Sequence, residues 1–590
     1  MVSAPRFQYI LPFCYNIHTL RGRNYWRTVR AEKRSGVAVP LFSFGELGDL
    51  PRLLDWCQKT GQTVLQLLPL LETGITGSPY DPVSSFALEP SYLSLRLVSG
   101  SGEEELGKSN LRRPKLKILA KIFSAGIDRE GLENFRKANR YWVEDYALFK
   151  VLKDNFARKT WREWPEKFRD RDEKVLKSFA IEHKREIDFW IWVQWQLFLQ
   201  LKTAGDYARK AGILLFGDAP LFVSADSADA WAHPEFFYRD TVSGAPPDLY
   251  SFRGQRWGMP PLNFASLARD DFRYFRQRYT CLAKFFDGVR LDHVIGFFRI
   301  WNIPVTEPEE NGGLNGFFDP RNEDEWEPQG RKILSAILNS AKMFYWAEDL
   351  GVVPKGCRET LKKLGIPGTI VTRWKKNPFR HTFVRPENYP KLSVAQMSLH
   401  DLSGFPAFWE DEAGTVEEKT FKYHCEKAGL DFLALRPKLF TPGHPMNGRL
   451  RWRKNIKTPA KFLETLGLTG KEANDLLWIY QDTFREKERL WRYLGLAKKT
   501  GNRCSPEVLN RALAKSLAAK SLIVINTVFD WLALDQVLEK NPRRFRINTP
   551  GTVSAKNWSV KLPISLEDLQ NLKINSRIRE MVAASGRLIV

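Results

Sequence analysis

The feature of this sequence that most constrains its fold is a series of eight short, β-rich apolar runs separated by helix-like stretches. Near-continuous apolar runs are typical of strands buried on both faces, as in parallel sheets. Strands that alternate with helices predict βα units, and eight units predict an α/β fold, a closed (β/α)8 TIM barrel. The predicted strand regions are 37–45, 63–70, 213–223, 287–294, 343–350, 368–374, 392–401 and 521–530.

Two long, mostly helix-like segments interrupt this alternation. The first, about 96–204, separates strands two and three, and the second, about 411–520, separates strands seven and eight. Residues 476–499 form the clearest predicted helix of the second segment. We expect both segments to be helical insertion subdomains; the alternative is two separate domains that interrupt an open sheet. The predicted catalytic barrel then consists of residues 1–95, 205–410 and 521–590.

Composition supports a large globular protein. A chain of 590 residues exceeds one ordinary domain but suits a barrel with insertions. Its 43% hydrophobic content excludes a disordered class. No apolar run approaches the ~20 residues of a membrane helix, the first residues lack a secretory signal pattern, and the six cysteines contain no CxxC pair. We therefore expect a cytoplasmic protein with reduced thiols and no membrane contact.

The net charge is the strongest argument for a different class of protein. Ninety-one basic and 68 acidic residues give +23, a balance that a nucleic-acid-binding protein would also show. The basic residues are nevertheless mixed with acids, as in 158–174 and 184–190, and such mixing is typical of solvated helix faces. We expect no nucleic-acid partner.

Acidic residues follow several of the predicted strands. The carboxyl ends of barrel strands carry the functional residues of TIM barrels. A single acid there usually caps the next helix, whereas several acids at one mouth are costly unless they bind a metal, form ion pairs or do chemistry. The polar strand-end residues are Asp218, Arg290, Asp292, His293, Glu348, Asp349, His400 and Asp401.

Two of these acids have contrasting surroundings. Strand alternation places Arg290 on the same face as Asp292, where a guanidinium would keep the carboxylate ionised, as a nucleophile requires. Glu348 follows the apolar run MFYWA, and partial burial would raise its pKa, as a general acid requires. One ionised and one protonated carboxyl is the pattern of a glycosidase. A metal site is less favoured because no histidine pair has ligand spacing, so we expect neither metal nor cofactor.

Four short motifs carry a resemblance to a known family. The segments GDAPLFV, GVRLDH, AEDLG and LHD resemble the four signature regions of the α-amylase superfamily. Longer segments, in family order, resemble the 4-α-glucanotransferases known as amylomaltase or disproportionating enzyme. They sample the chain except for both insertions and the first ~35 residues; they are 68–95, 217–237, 244–258, 286–304, 346–354, 364–374 and 548–569.

The resemblance implies a retaining double displacement that moves α-1,4-glucan segments from a donor to an acceptor glucan or glucose. In this family pattern, Asp292 matches the nucleophile, Glu348 the acid/base, and Asp401 the third carboxylate, which holds the 2- and 3-hydroxyls of the reacting sugar. α-1,4-Glucans and maltooligosaccharides are the implied ligands. Neighbouring strands can place the first two carboxyls at the roughly 5–5.5 Å separation of a retaining enzyme.

The resemblance also implies a set of substrate-binding residues. Some match residues around the reactive sugar or donor groove, and others belong to the loop 244–258, which resembles a lid over the glucan. The first group is Arg290, His400, Asp218, Tyr80 and Asn548, and the second is Tyr250, Phe252 and Trp257.

Several positions depart from the family pattern. Ile75 stands in place of a usual Tyr, Asp81 in place of Gln and Met259 in place of Asn. Leu402–Gly404 and Val560–Lys561 also differ. These departures bear on glucan length and acceptor preference, because none of them changes the three carboxylates or Arg290.

Two other functions compete with transfer. A hydrolase of the same superfamily would pass the sugar to water, whereas a transferase needs a lid that excludes water. A non-catalytic glucan-binding or nucleic-acid-binding protein is the other alternative, and the intact set of acids argues against it. The sequence predicts no oligomeric state.

Overall fold

Eight parallel strands close into a barrel in the computed structural model, which describes residues 32–99, 112–442, 448–469, 471–496, 501–535 and 541–589. The strands follow one another in chain order, and the last pairs with the first. The predicted TIM barrel is therefore confirmed, and an open sheet is wrong. The strands are β1 (Arg34–Val39), β2 (Val64–Leu67), β3 (Leu214–Ala219), β4 (Gly288–Leu291), β5 (Phe344–Ala347), β6 (Gly368–Val371), β7 (Ser393–Gln396) and β8 (Ile523–Thr527).

Alternation along the strands separates two apolar layers. Phe216, Phe344 and Trp346 fill the barrel interior, with ring centroids 5.4 Å apart for Phe216 against each of the other two. Val289 and Leu291 of β4 belong to the core outside the barrel. Arg290, which lies between them, therefore projects from the interior face.

Helices outside the two long segments cover the barrel. The first has its predicted apolar stripe buried, including Leu50, Leu53 and Cys57. These helices are Leu50–Thr60, Ala228–Ala232, Phe264–Arg269, Arg273–Leu282, Trp326–Ser340, Cys357–Leu364, Phe405–Ala407, Val528–Leu532, Leu566–Asn571 and Ile574–Ala584, and a short helix, Leu95–Ser99, leads into the first long segment.

The first long segment is helical and shares the core outside the barrel. Trp142 stacks on Phe198 with centroids 5.6 Å apart, and Phe198 meets Phe285, just before β4, at 4.8 Å. Its last helix continues past residue 204 and leads directly towards β3. Its helices are Arg112–Ala125, Arg129–Ala138, Arg140–Asn155, Glu166–Arg169, Glu173–Glu182 and Lys184–Lys210.

The second long segment has an apolar core of its own. Phe421, Trp452, Phe462 and Tyr480 are among its buried residues. Strands Thr415–Glu417 and Arg449–Arg451 pair antiparallel beside it. Its helices are Glu418–Lys427, Phe432–Leu439, Pro459–Leu466, Asn474–Thr483, Glu486–Tyr493 and Pro506–Leu517. The boundaries of both insertion subdomains stay a prediction.

The single helix predicted for 476–499 is wrong. Two helices replace it, and they are separated by Arg485 in the left-handed conformation (φ 56°); residues 497–500 lie outside the described part of the chain. Leu476 belongs to the core of the second segment, whereas Leu490 belongs to the core around the barrel. The break lets the chain pass from one core to the other. The Arg489 guanidinium donates hydrogen bonds to the carbonyl oxygens of Gln481 and Asp482, which lie in the last turn of the first helix.

A small antiparallel sheet outside the barrel carries the predicted lid. Its strands, in spatial order, are Gln255–Arg256, Thr241–Ala245, Ile300–Pro304 and Phe317–Asp319. The lid loop 244–258 begins in one strand of this sheet and returns through another. None of the described helices is long and apolar enough to span a membrane.

Candidate active site

Adjacent strands bring the predicted acids to one mouth of the barrel. Asp218 of β3 pairs in register with Arg290 of β4, and Leu291 pairs with Ala347 of β5. Asp292 and Glu348, the next residues, therefore leave neighbouring strands at the same level. The backbone N–H of Glu348 also donates to the Leu291 carbonyl at 3.0 Å, which continues the ladder beyond the strands.

The Arg290 guanidinium is at the centre of the acidic cluster. Its Nη1 lies 2.7 Å from Asp292 Oδ1 and 2.9 Å from Asp218 Oδ1. Its Nη2 lies 3.9 Å from Glu348 Oε2. Burial alone would lower the pKa of Arg290, but the two aspartates raise it well above its ordinary value. Because Asp292 and Glu348 both approach one guanidinium, they face a common space.

Glu348 has the surroundings of a carboxyl that exchanges protons near neutral pH. Its side chain is 13% exposed. Burial raises its pKa to about 7; the charge of Arg290 opposes this and the charge of Asp292 adds to it. Oε2 accepts the N–H of His293 at 3.0 Å, and Oε1 accepts the N–H of Leu350 at 2.9 Å. The carboxyl is therefore held by the backbone while it remains able to gain or lose a proton.

His293 supports Glu348 through an unusual backbone conformation. It has φ 46°, in the left-handed region that non-glycine residues seldom adopt, and this turn carries the N–H that Glu348 accepts. Burial lowers the pKa of the imidazole to about 4, and the ring lies 4.8 Å from that of Trp257. The sequence marks His293 only as a strand-end residue, because no local pattern specifies this φ.

Asp401 lies in a second polar group, which follows β7. His400 Nε2 is 3.4 Å from Asp401 Oδ2, and Asn548 Nδ2 donates to Asp401 Oδ1 at 2.6 Å. Partial burial alone would raise the pKa of Asp401, but His400, Asn548 and Arg290 lower it to about 2. This carboxylate is ionised, and 42% of its side chain is exposed to solvent.

An aromatic cluster joins the two polar groups. The Tyr80 hydroxyl donates to Asp218 Oδ2 at 2.9 Å, and its ring stacks on His400 with centroids 4.8 Å apart. Trp558 lies 5.6 Å from Tyr80 and 5.7 Å from His400. Sequence reasoning did not single out Trp558, although it lies in the family-like segment 548–569. Rings here suit the apolar faces of a sugar.

The three lid aromatics do not share one environment. Trp257 contacts His293 and so adjoins the acidic cluster. The Tyr250 hydroxyl instead donates to Asp482 at 3.1 Å, and Phe252 stacks on Tyr423 at 4.6 Å. Among the described contacts, these two side chains join the second long segment rather than the acids.

Asp349 differs from the acid beside it. It accepts the N–H of Thr369 at 2.8 Å and pairs with Arg358 at 3.1 Å. These contacts tie β5 to β6 and to the following helix, so this acid is structural. Within the described residues, no group of three or more His, Cys, Asp or Glu side chains is arranged to hold a metal ion.

Comparison with known proteins gives a consistent result. The family model described as 4-alpha-glucanotransferase matches residues 40–567. A 4-alpha-glucanotransferase of Chlamydia pneumoniae is 30% identical, over 94% of this chain and 97% of the relative. One of Thermus thermophilus is 32% identical, over 61% of this chain and 75% of the relative.

Two solved structures share the fold. The amylomaltase of Streptococcus agalactiae, solved in complex with acarbose, has a TM-score of 0.70 at 21% identity, over 95% of this chain and all of that one (100%). The amylomaltase of Corynebacterium glutamicum has a TM-score of 0.68 at 19% identity, over 95% and 76% of the two chains.

Proposed function

The chain belongs to the 4-alpha-glucanotransferase family, and from this premise we propose that it moves α-1,4-glucan segments by a retaining double displacement on Asp292 and Glu348. Membership of this family makes the protein an enzyme that acts on α-1,4-glucans. The two alternatives, a hydrolase and a non-catalytic binding protein, are not favoured. The observation that supports the proposed mechanism is the approach of both carboxyls to the Arg290 guanidinium.

In the first step, the donor glucan is cleaved. Asp292 attacks the anomeric carbon while the bond from that carbon to the 4-oxygen of the leaving glucan breaks. Glu348 gives its proton to this oxygen, which is possible because its pKa of about 7 leaves about half of it protonated at neutral pH and most of it protonated below. The products are a glycosyl ester on Asp292 and a shortened glucan.

In the second step, an acceptor takes the sugar. The ionised Glu348 removes the proton from the 4-hydroxyl of an acceptor, whose oxygen attacks the anomeric carbon as the ester bond to Asp292 breaks. Two inversions retain the α configuration. Asp401, held ionised by His400 and Asn548, is assigned to the sugar hydroxyls, and Tyr80 and Trp558 to its apolar face.

The experiment is the conversion of maltotriose with reducing ends counted throughout. We expect glucose and a ladder of longer maltooligosaccharides while the total of reducing ends stays constant, because each transfer breaks one glycosidic bond and forms another. Asp292→Asn protein, purified in parallel, is the control and should form no ladder. Reducing ends that rise with every bond broken would instead establish a hydrolase.

A further inference from the structure

We propose that the second long segment holds the lid closed over the glucan, and that Asp482 is the positioning residue at the centre of this contact. This inference rests on the proposed function, since it concerns whether the glycosyl ester meets an acceptor or water. The name lid latch is used below for the contact between 249–252 and the two helices Glu418–Lys427 and Asn474–Thr483.

The lid latch combines backbone and side-chain contacts. Thr420 Oγ1 lies 3.2 Å from the Tyr250 carbonyl oxygen and 2.7 Å from Glu417 Oε2, and His424 Nε2 lies 3.0 Å from the Leu249 carbonyl oxygen. Leu249 packs against the core of the second segment. Phe252 stacks on Tyr423 with an interplanar angle of 23°. The tip of the lid is therefore docked on helix Glu418–Lys427 rather than only lying near it.

Asp482 joins this lid to another loop of the barrel. Its Oδ2 accepts the Tyr250 hydroxyl at 3.1 Å and lies 3.0 Å from Lys376 Nζ. Lys376, in the loop after β6, is 8% exposed and also pairs with Glu486 at 2.5 Å. His381 of the same loop lies 3.5 Å from Asp482 Oδ1. The buried ammonium group of Lys376 therefore holds the Asp482 carboxylate in the position where it accepts the hydrogen bond from the Tyr250 hydroxyl.

The other end of the lid reaches the catalytic cluster. Trp257, seven residues after Tyr250, packs edge-on against His293, whose backbone N–H holds Glu348. Between them, the N–H of Gly254 donates to the Ser251 carbonyl at 2.8 Å. A short, hydrogen-bonded segment therefore connects the latch at Tyr250 to the surroundings of Glu348.

Opening of the lid changes the fate of the glycosyl ester. The ester must persist until an acceptor binds, so the exclusion of water sets the ratio of hydrolysis to transfer. Loosening the latch is therefore expected to raise the ratio of hydrolysis to transfer.

The test uses one hydroxyl deletion and its matched control. Tyr250→Phe keeps the ring and removes the hydrogen bond to Asp482. Tyr207→Phe makes the same change at Asp55, where the Tyr207 hydroxyl bonds at 2.5 Å on a helix remote from the lid. In the maltotriose reaction, Tyr250→Phe should raise the ratio of hydrolysis to transfer about three- to tenfold, the equilibrium change typical of one hydrogen bond, and Tyr207→Phe should not.

A second variant separates a latch from a direct sugar contact at Tyr250. Tyr423→Leu removes the stack from the side of the second segment, and it should shift the ratio in the same direction. If both variants keep the wild-type ratio, the lid latch is wrong, even if the melting temperature falls. If the wild-type protein forms no ladder, the proposed function fails instead, so the two failures are distinguishable.

Discussion

The two proposed catalytic carboxyls differ in what each one contacts. Asp292 receives a close charged hydrogen bond from Arg290, at 2.7 Å, whereas Glu348 lies 3.9 Å from the same guanidinium. Glu348 instead accepts two backbone N–H groups within a buried setting. Burial and the neighbouring charge of Asp292 then keep a proton on it up to about neutral pH.

This difference predicts a pH limb in the kinetics. Glu348 must carry its proton for the first step, and its pKa is raised to about 7. The value of kcat/KM should therefore level off just below about pH 7 and fall about tenfold per pH unit above it. Glu348→Gln should lower kcat/KM by about 10²–10⁴-fold and abolish this limb. A limb that persists in Glu348→Gln would assign the proton to another group.

Most of the residues and contacts of this site could be predicted from the sequence, but some could not. Alternation in β4 predicts Arg290 beside Asp292, and the apolar run before Glu348 predicts a pKa raised by burial; the structure places Arg290 2.7 Å from Asp292 and leaves 13% of the Glu348 side chain exposed. The left-handed φ of His293 and the contact of Trp558 with Tyr80 depend on distant parts of the chain. No local pattern encodes such contacts.

At the level of elements, β4 packs so closely against β3 and β5 that its first residue, Gly288, has no space for a side chain. A Cβ on Gly288 would lie 2.5 Å from Phe216 Cε1 and 2.8 Å from the Phe344 carbonyl oxygen. Only glycine lets β3 and β5 approach β4 here. Since Arg290 lies on this strand and Asp292 directly follows it, this fit also fixes the height of the proposed catalytic groups in the barrel.

Gly288→Ala should therefore affect stability and activity together. Overpacking is expected to lower the free energy of unfolding by about 1–3 kcal/mol and to reduce turnover, as measured by urea unfolding and the maltotriose assay. Gly501→Ala is the control, because no atom of the described residues lies within 4 Å of the added Cβ and φ is not left-handed there. A Gly288→Ala protein with the free energy of unfolding of the wild type would show that β4 can accommodate a Cβ at this position.

The elements also show where sequence patterns stop being sufficient. Each of the eight apolar runs overlaps a barrel strand, because burial on both faces leaves a strong signal over a few residues. The predicted helix over 476–499 is interrupted because its two halves belong to different cores. Periodicity identifies the apolar face of a helix but not the hydrophobic core against which that face packs.

At the scale of the whole molecule, the insertions differ in their relation to the barrel. The first contributes to the core around the barrel, whereas much of the second has a core of its own and contacts the lid. In the proposed mechanism, the strand ends carry out the chemistry and the second segment controls the access of solvent. Spacing along the sequence could not predict the contact, because Tyr250 and Asp482 are 232 residues apart.

The central claim is that Asp292 carries the sugar between donor and acceptor, and capture of the glycosyl ester tests it most directly. In Glu348→Gln, α-maltosyl fluoride can still react, because fluoride leaves without a proton, while the second step lacks its base. Mass spectrometry of the digested protein should find a maltosyl ester on the peptide containing Asp292. No ester, or an ester on another carboxylate such as Asp401, would contradict this account.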